Sequence, residues 1–72
     1  MRIYELTAPE LNRYREKCNF LDDEMIYFEM RSQRKSNIQI AQRLSVSESQ
    51  VSKIARRVKQ KMNRLDVNDT HM

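Results

Sequence analysis

The chain has no glycine and no tryptophan, and only one proline, one cysteine and one histidine among its 72 residues. Without glycine there is no phosphate-cradling loop of the Rossmann or Walker kind, and few tight turns that need a positive φ are expected. A lone cysteine, Cys18, excludes an internal disulfide and with it the stapled secreted mini-protein. Cys18 and His71 stand 53 positions apart and cannot supply a Cys/His zinc site, so no metal and no cofactor is expected. Paired catalytic groups are missing too, which places the chain outside the enzymes. The opening Met1-Arg2-Ile3-Tyr4-Glu5 lacks the apolar stretch of a signal peptide, and no run approaches the ~20 apolar residues of a membrane span. The expectation is a cytoplasmic protein with no membrane partner.

The chain length suits one small domain with a thin core, which burying partners or well-capped helices would help to stabilise. Lys and Arg number 14 against 10 Asp and Glu, a formal net charge of +4. The charge is segregated. Residues 1–30 hold seven acids and four bases, whereas residues 31–72 hold ten bases and three acids. A basic second half suits a polyanionic partner.

Residues 1–6 fit either a lead-in strand or an extended arm. Thr7-Ala8-Pro9-Glu10 is a helix start: Thr7 caps, Glu10 reaches back, and Pro9 gives up an N–H that has no partner there. The helix runs through Leu11, Tyr14 and Cys18 on one face to about Asn19, which makes Cys18 a buried structural thiol. Asp22 or Asp23 opens a second helix, whose cluster of acids suits the positive end of the dipole without invoking a metal. Its apolar residues Met25, Ile26, Tyr27, Phe28 and Met30 are too many for one surface stripe, so it is expected at the buried centre. A polar loop, Arg31 to Lys35, follows. Ser36-Asn37-Ile38-Gln39 is a capping box for a short helix ending near Leu44, and Ser47-Glu48-Ser49-Gln50 repeats the form eleven residues later. From there Val51, Ile54, Ala55, Val58, Met62 and Leu65 continue one long helix to about residue 65, before a flexible tail over 66–72 that includes the surface residue His71. The fold class is therefore all-α: about four helices, the last the longest. An arm (1–6) precedes one domain (7–65), whose helix-turn-helix proper spans 37–65.

An eight-residue helix, a three-residue turn and a longer basic helix have the spacing of a helix-turn-helix. The expected core is Tyr27, Phe28, Ile40, Ala41, Leu44, Val46, Val51, Ile54 and Val58, with small Ala41 allowing two helices to cross closely. On these residues, and on the run Ser36-Asn37-Ile38-Gln39-Ile40-Ala41-Gln42-Arg43-Leu44-Ser45-Val46-Ser47, the chain resembles the four-helix DNA-binding domain of the LuxR/GerE class. It is equally similar to region 4 of sigma-70-type factors, and small free-standing phage and prophage regulators also look like this. The resemblance covers residues 22–65, with Glu24, Tyr27, Phe28 and Met30 where both families place an acid and packing residues. It departs at Ser45, where the families usually carry glycine and a local side-chain hydrogen bond would have to compensate. It departs again at Leu21, which leaves Asp22 to cap the second helix.

The resemblance implies sequence-specific binding of double-stranded DNA and regulation of transcription. With Val51 and Ile54 turned inward, Glu48, Ser49, Ser52, Lys53 and Arg56 face outward to read base edges in the major groove. Lys53 and Arg56 suit guanine, Ser49 and Ser52 several bases, and Gln50 adenine if its capping role releases it. Glu48 either accepts from a cytosine amino group or only favours the helix dipole. Ser36, Asn37, Arg34, Lys35, Arg43 and Arg57 are the expected phosphate contacts. Val51, Ala55, Val58, Met62 and Leu65 step by four, three, four and three, a seam that either packs inside the domain or joins a homodimer across a two-fold site. Tyr4 and Tyr27 fit core or interface. The competing function is a protein-interaction module that contacts RNA polymerase or another regulator through the acidic first half.

Overall fold

The computed structural model describes residues 2–70, with side chains through Asn68. A 3₁₀ turn at Ile3–Glu5 is followed by α1 (Ala8–Lys17), α2 (Asp22–Ser32), α3 (Asn37–Leu44) and α4 (Glu48–Thr70). The long axis of the molecule is 40 Å. Most of that is α4, whose 23 residues rise about 35 Å at 1.5 Å each.

Capping starts these helices where the side chains allow it. Thr7 and Glu10 close a reciprocal box on α1, and Ser36 and Gln39 close another on α3. At α4 the Gln50 N–H donates to Ser47 Oγ at 3.2 Å. At α2, Leu21 rather than Asp22 occupies the capping position. Leucine has no acceptor for the N–H groups of the first turn, so only the other half of the box forms: Glu24 Oε1 takes the Leu21 N–H at 2.9 Å.

The three helix-to-helix connections each contain one residue in the left-handed region: Asn19 (φ 56°), Arg34 (φ 65°) and Ser45 (φ 57°). A chain without glycine still makes these turns. At the last two the backbone explains how. Arg34 N–H bonds to Arg31 C=O and Lys35 N–H to Met30 C=O, while Ser45 N–H bonds to Gln42 C=O and Val46 N–H to Ala41 C=O. These paired bonds are the Schellman closure of a helix end, which satisfies carbonyls otherwise left open and offsets the cost of a Cβ at positive φ. The side chain of Ser45 makes no hydrogen bond among the described residues, so the local bond expected of it is replaced by backbone ones.

Phe28, Ile40, Val51, Ile54, Val58 and Met62 are sealed from solvent, and Tyr27, Ala41, Tyr14, Cys18 and Ile3 are buried beside them. Leu44 and Val46 are half-buried against this cluster. α2 is central, packing on the 3₁₀ turn, α3 and α4. Phe28 meets Tyr14 edge-on (6.2 Å between centroids) and Phe20 at 5.1 Å, joining α1 and the α1–α2 loop to α2. Burial raises the Cys18 thiol pKa, with nearby Asp66 adding to the effect and Arg13 and Lys61 opposing it.

Both chain ends differ from the sequence reading. Ile3 is buried, so residues 3–5 form a turn docked on α2 instead of a free arm or a strand. The last helix continues past Leu65 to Thr70. The reason is Asp66: it accepts from the Tyr14 hydroxyl (2.9 Å) and Arg13 Nη1 (3.1 Å), which fastens the fifth turn of α4 to α1. Residues 71 and 72 of the expected tail, His71 among them, lie outside the described residues.

Candidate nucleic-acid interface

α3, the turn at Ser45–Ser47 and α4 form the helix-turn-helix corner. Ile40 and Ala41 of α3 and Val51 and Ile54 of α4 are buried. That fixes the rotation of α4 and turns its opposite side to water. Glu48, Ser49, Ser52, Lys53 and Arg56 are exposed there, whereas Gln50 is half-buried on the flank, about 100° around the axis from Ser49. The exposed stripe thus consists of one acid at its start, short hydroxyl side chains and two long cations.

Some cations are paired within the fold and others are not. Arg15 pairs with Glu29, Arg13 with Asp66, and Arg57 and Lys61 with Glu24. These lie toward α1 and the start of α2. Arg43, Lys53, Arg56 and Lys59 have no acidic partner among the described residues. Packing among α1, α2 and α4 thus takes up Arg13, Arg15, Arg57 and Lys61, whereas Arg43, Lys53, Arg56 and Lys59 keep their charge unpaired among the described residues, as do Lys17 on α1 and Arg64 on α4.

The expected phosphate contacts divide similarly. Asn37, exposed at the first position of α3, lines one shallow groove together with Ser52 and Arg56 of α4. Ser36 is exposed with its hydroxyl oxygen accepting the Gln39 N–H at 3.2 Å, and its own O–H stays available to donate. Arg43 is exposed on the last turn of α3. Arg34 is exposed, with its guanidinium 4.7 Å from the centre of the Tyr4 ring. Lys35 is half-buried, with its carbonyl held by Arg31 Nη1 at 2.9 Å.

Arg57 does not reach outward. Its Nε donates to Glu24 Oε2 at 2.9 Å and its Nη2 to Asp23 Oδ2 at 3.0 Å, so it braces α4 against the start of α2. The sequence reading missed this because it assigned the three acids to the helix dipole and left Glu24 without a buried role. Glu24 is fully enclosed, with Lys61 on Oε1 as well. Burial raises its pKa, but Lys61, the Leu21 N–H and Arg57 outweigh burial and hold the carboxyl below the usual carboxylate range.

The seam Val51, Ala55, Val58, Met62 and Leu65 is the inner face of the single chain: Val51 and Val58 are sealed, Met62 is 2% exposed, and Ala55 and Leu65 pack against the same core. These residues pack inside one chain.

Among the described residues no three His, Cys, Asp or Glu side chains come together to hold a metal. No described helix is long and apolar enough to cross a membrane. Comparison with protein-family models, curated proteins and solved structures finds no match.

Proposed function

We propose that this chain is a sequence-specific binder of double-stranded DNA that lays the first turns of α4 in the major groove and regulates transcription from the site it occupies. One observation carries the reading: a helix-turn-helix whose exposed stripe bears Lys53 and Arg56, neither neutralised by an acid among the described residues. An α-helix with side chains is about 10–12 Å across, which suits the width of the major groove. In that pose Lys53 and Arg56 address guanine edges and Ser49 and Ser52 bond to several bases. Glu48 and Gln50 stand at the margins. Ser36, Asn37 and Arg43 take phosphates on either side. The resemblance to the LuxR/GerE and sigma-70 region 4 domains, and to small phage regulators, supports the same pose in a bacterial cytoplasm. The competing reading, an acidic surface for RNA polymerase, has less to rest on, because Glu10, Asp23, Glu24 and Glu29 are engaged within the chain.

The test is a fluorescence-anisotropy titration of mixed-sequence duplex DNA over a salt series, with K53E/R56E alongside. Binding in the micromolar range at low salt, weakening steeply as salt rises and lost in the variant, is the expected result. A wild-type chain that leaves the duplex free at low salt would overturn the DNA reading.

A further inference from the structure

A second basic surface continues from the exposed stripe of α4. A groove of about 410 Å³ runs between the last turns of α2, the start of α3 and the middle of α4, and its walls include Tyr27, Arg31, Asn37, Arg56, Lys59 and Asn63. None of its lining residues is acidic. It adjoins a smaller groove of about 120 Å³ that shares Tyr27, Arg31 and Lys59 and reaches Arg2 and Tyr4 of the 3₁₀ turn. Along α4, Ser52, Arg56, Lys59 and Asn63 step by four, three and four, so one side of the helix leads from the proposed base-reading end into this groove.

Three side chains give the groove its chemistry. Arg31 is anchored by its bond to the Lys35 carbonyl and has no acidic partner among the described residues, so its position is fixed while its charge stays unspent. Lys59 is exposed and likewise unpaired with any acid. Tyr27 is only 4% exposed, and its hydroxyl has no hydrogen-bond partner among the described residues. Among the described residues every sealed side-chain nitrogen or oxygen does have a partner. The Tyr27 hydroxyl is therefore open to solvent, and the surfaces that Tyr27 lines are these two grooves.

We propose that this groove is a second phosphate site, along which the DNA backbone bordering the major groove lies, with Arg31 and Lys59 as its charges and the Tyr27 hydroxyl as a neutral donor. Guanidinium, ammonium and phenol are the groups that phosphate oxygens accept from. The inference rests on the DNA-binding reading above and extends it to three residues beyond the base and phosphate contacts named there.

Wild type, Lys59→Gln, Tyr27→Phe and Arg64→Gln are titrated with one duplex by anisotropy over a salt series, with folding checked by circular dichroism. Lys59→Gln is expected to make the slope of log affinity against log salt shallower by about 1, the signature of one lost phosphate contact. Tyr27→Phe is expected to lose about threefold to tenfold in affinity at unchanged slope, because a neutral donor releases no counterion. Arg64→Gln removes the same charge about 140° around α4 from Lys59 and leaves the slope at the wild-type value. A slope unmoved by Lys59→Gln, or lowered equally by Arg64→Gln, overturns the second site. K53E/R56E separates the two ideas: its loss of binding in that case leaves the DNA reading standing, whereas a wild type that binds no duplex overturns both.

Discussion

Three interactions converge on Glu24. It accepts the Leu21 N–H at the start of α2 and ties α4 to α2 through Arg57 and Lys61, all from a fully enclosed carboxylate. Removing its charge leaves two cations facing a neutral group. Both reach solvent, with side-chain exposures of 41% and 28%, so the cost falls short of that of a wholly enclosed pair. Glu24→Gln is expected to lower stability by about 2 kcal/mol in urea denaturation. The pH dependence has a definite sign. A carboxyl whose folded pKa lies below its unfolded value adds stability that is fully present above the ordinary carboxylate range. That stability is lost as pH falls through the lowered folded value, below about pH 4. Wild type should therefore lose more stability than Glu24→Gln between pH 6 and pH 2. Parallel curves for the two proteins would remove Glu24 from this role.

Helix ends set the angles between elements, and here they are built without glycine. Ser45 pays for a left-handed backbone that the Ala41 and Gln42 carbonyls then hold in place. Ser45→Gly relieves the Cβ but loosens the unfolded chain, so its expected effect on thermal stability is within about 0.5 kcal/mol. A β-branched residue fits the position badly, and Ser45→Val is expected to cost about 1–2 kcal/mol. Similar melting temperatures for the valine and glycine variants would show that the turn relaxes. At the far end of α4, Asp66→Ala breaks the link to Tyr14 and Arg13. An expected loss of about 1 kcal/mol, together with faster amide exchange confined to the last turns of α4, would identify Asp66 as the fastening that prolongs the helix. Unchanged exchange there would assign the extension to helix propensity alone.

At the scale of the whole molecule, apolar surface and charge are both divided by side. The apolar seam of α4 is sealed inside one chain, and the exposed large hydrophobics Leu21, Ile38 and Val67 are widely separated in sequence. Sedimentation equilibrium at micromolar concentration is expected to give the mass of one chain, 8.8 kDa, in the absence of DNA. A stable dimer would show a second apolar face on α4 that the fold does not display. The cations are divided by the same packing. Asp23 and Glu24 of α2 meet one flank of α4 through Arg57 and Lys61, and Lys53, Arg56 and Lys59 along the rest of α4 keep their positive charge. Association with a polyanion is then expected to be oriented and strongly salt-dependent.

Local chemistry decided a large part of this protein before any long-range contact formed. Thr7, Ser36 and Ser47 mark three helix starts because a hydroxyl next to free N–H groups acts within four residues. The spacing of Ile40, Val51, Ile54 and Val58 sets the inner faces because helical periodicity is a local property. The outward stripe from Ser49 to Arg56 follows from that periodicity, and so does its extension through Lys59 and Asn63, a signal present in the spacing and not followed past Arg56. Other features depended on which helices came together. Arg57 and Lys53 are both cations on one helix, and only the approach of α2 with its enclosed Glu24 makes the first an internal brace. The Asp66 carboxylate extends α4 only because Tyr14 and Arg13 lie opposite it, 52 and 53 residues away in sequence. That the α4 seam packs inside the chain likewise depended on tertiary contacts, since an apolar face fixes that it will be covered and not by what. Charge pairing and burial act across space, so they pass to residues that the linear order does not bring together.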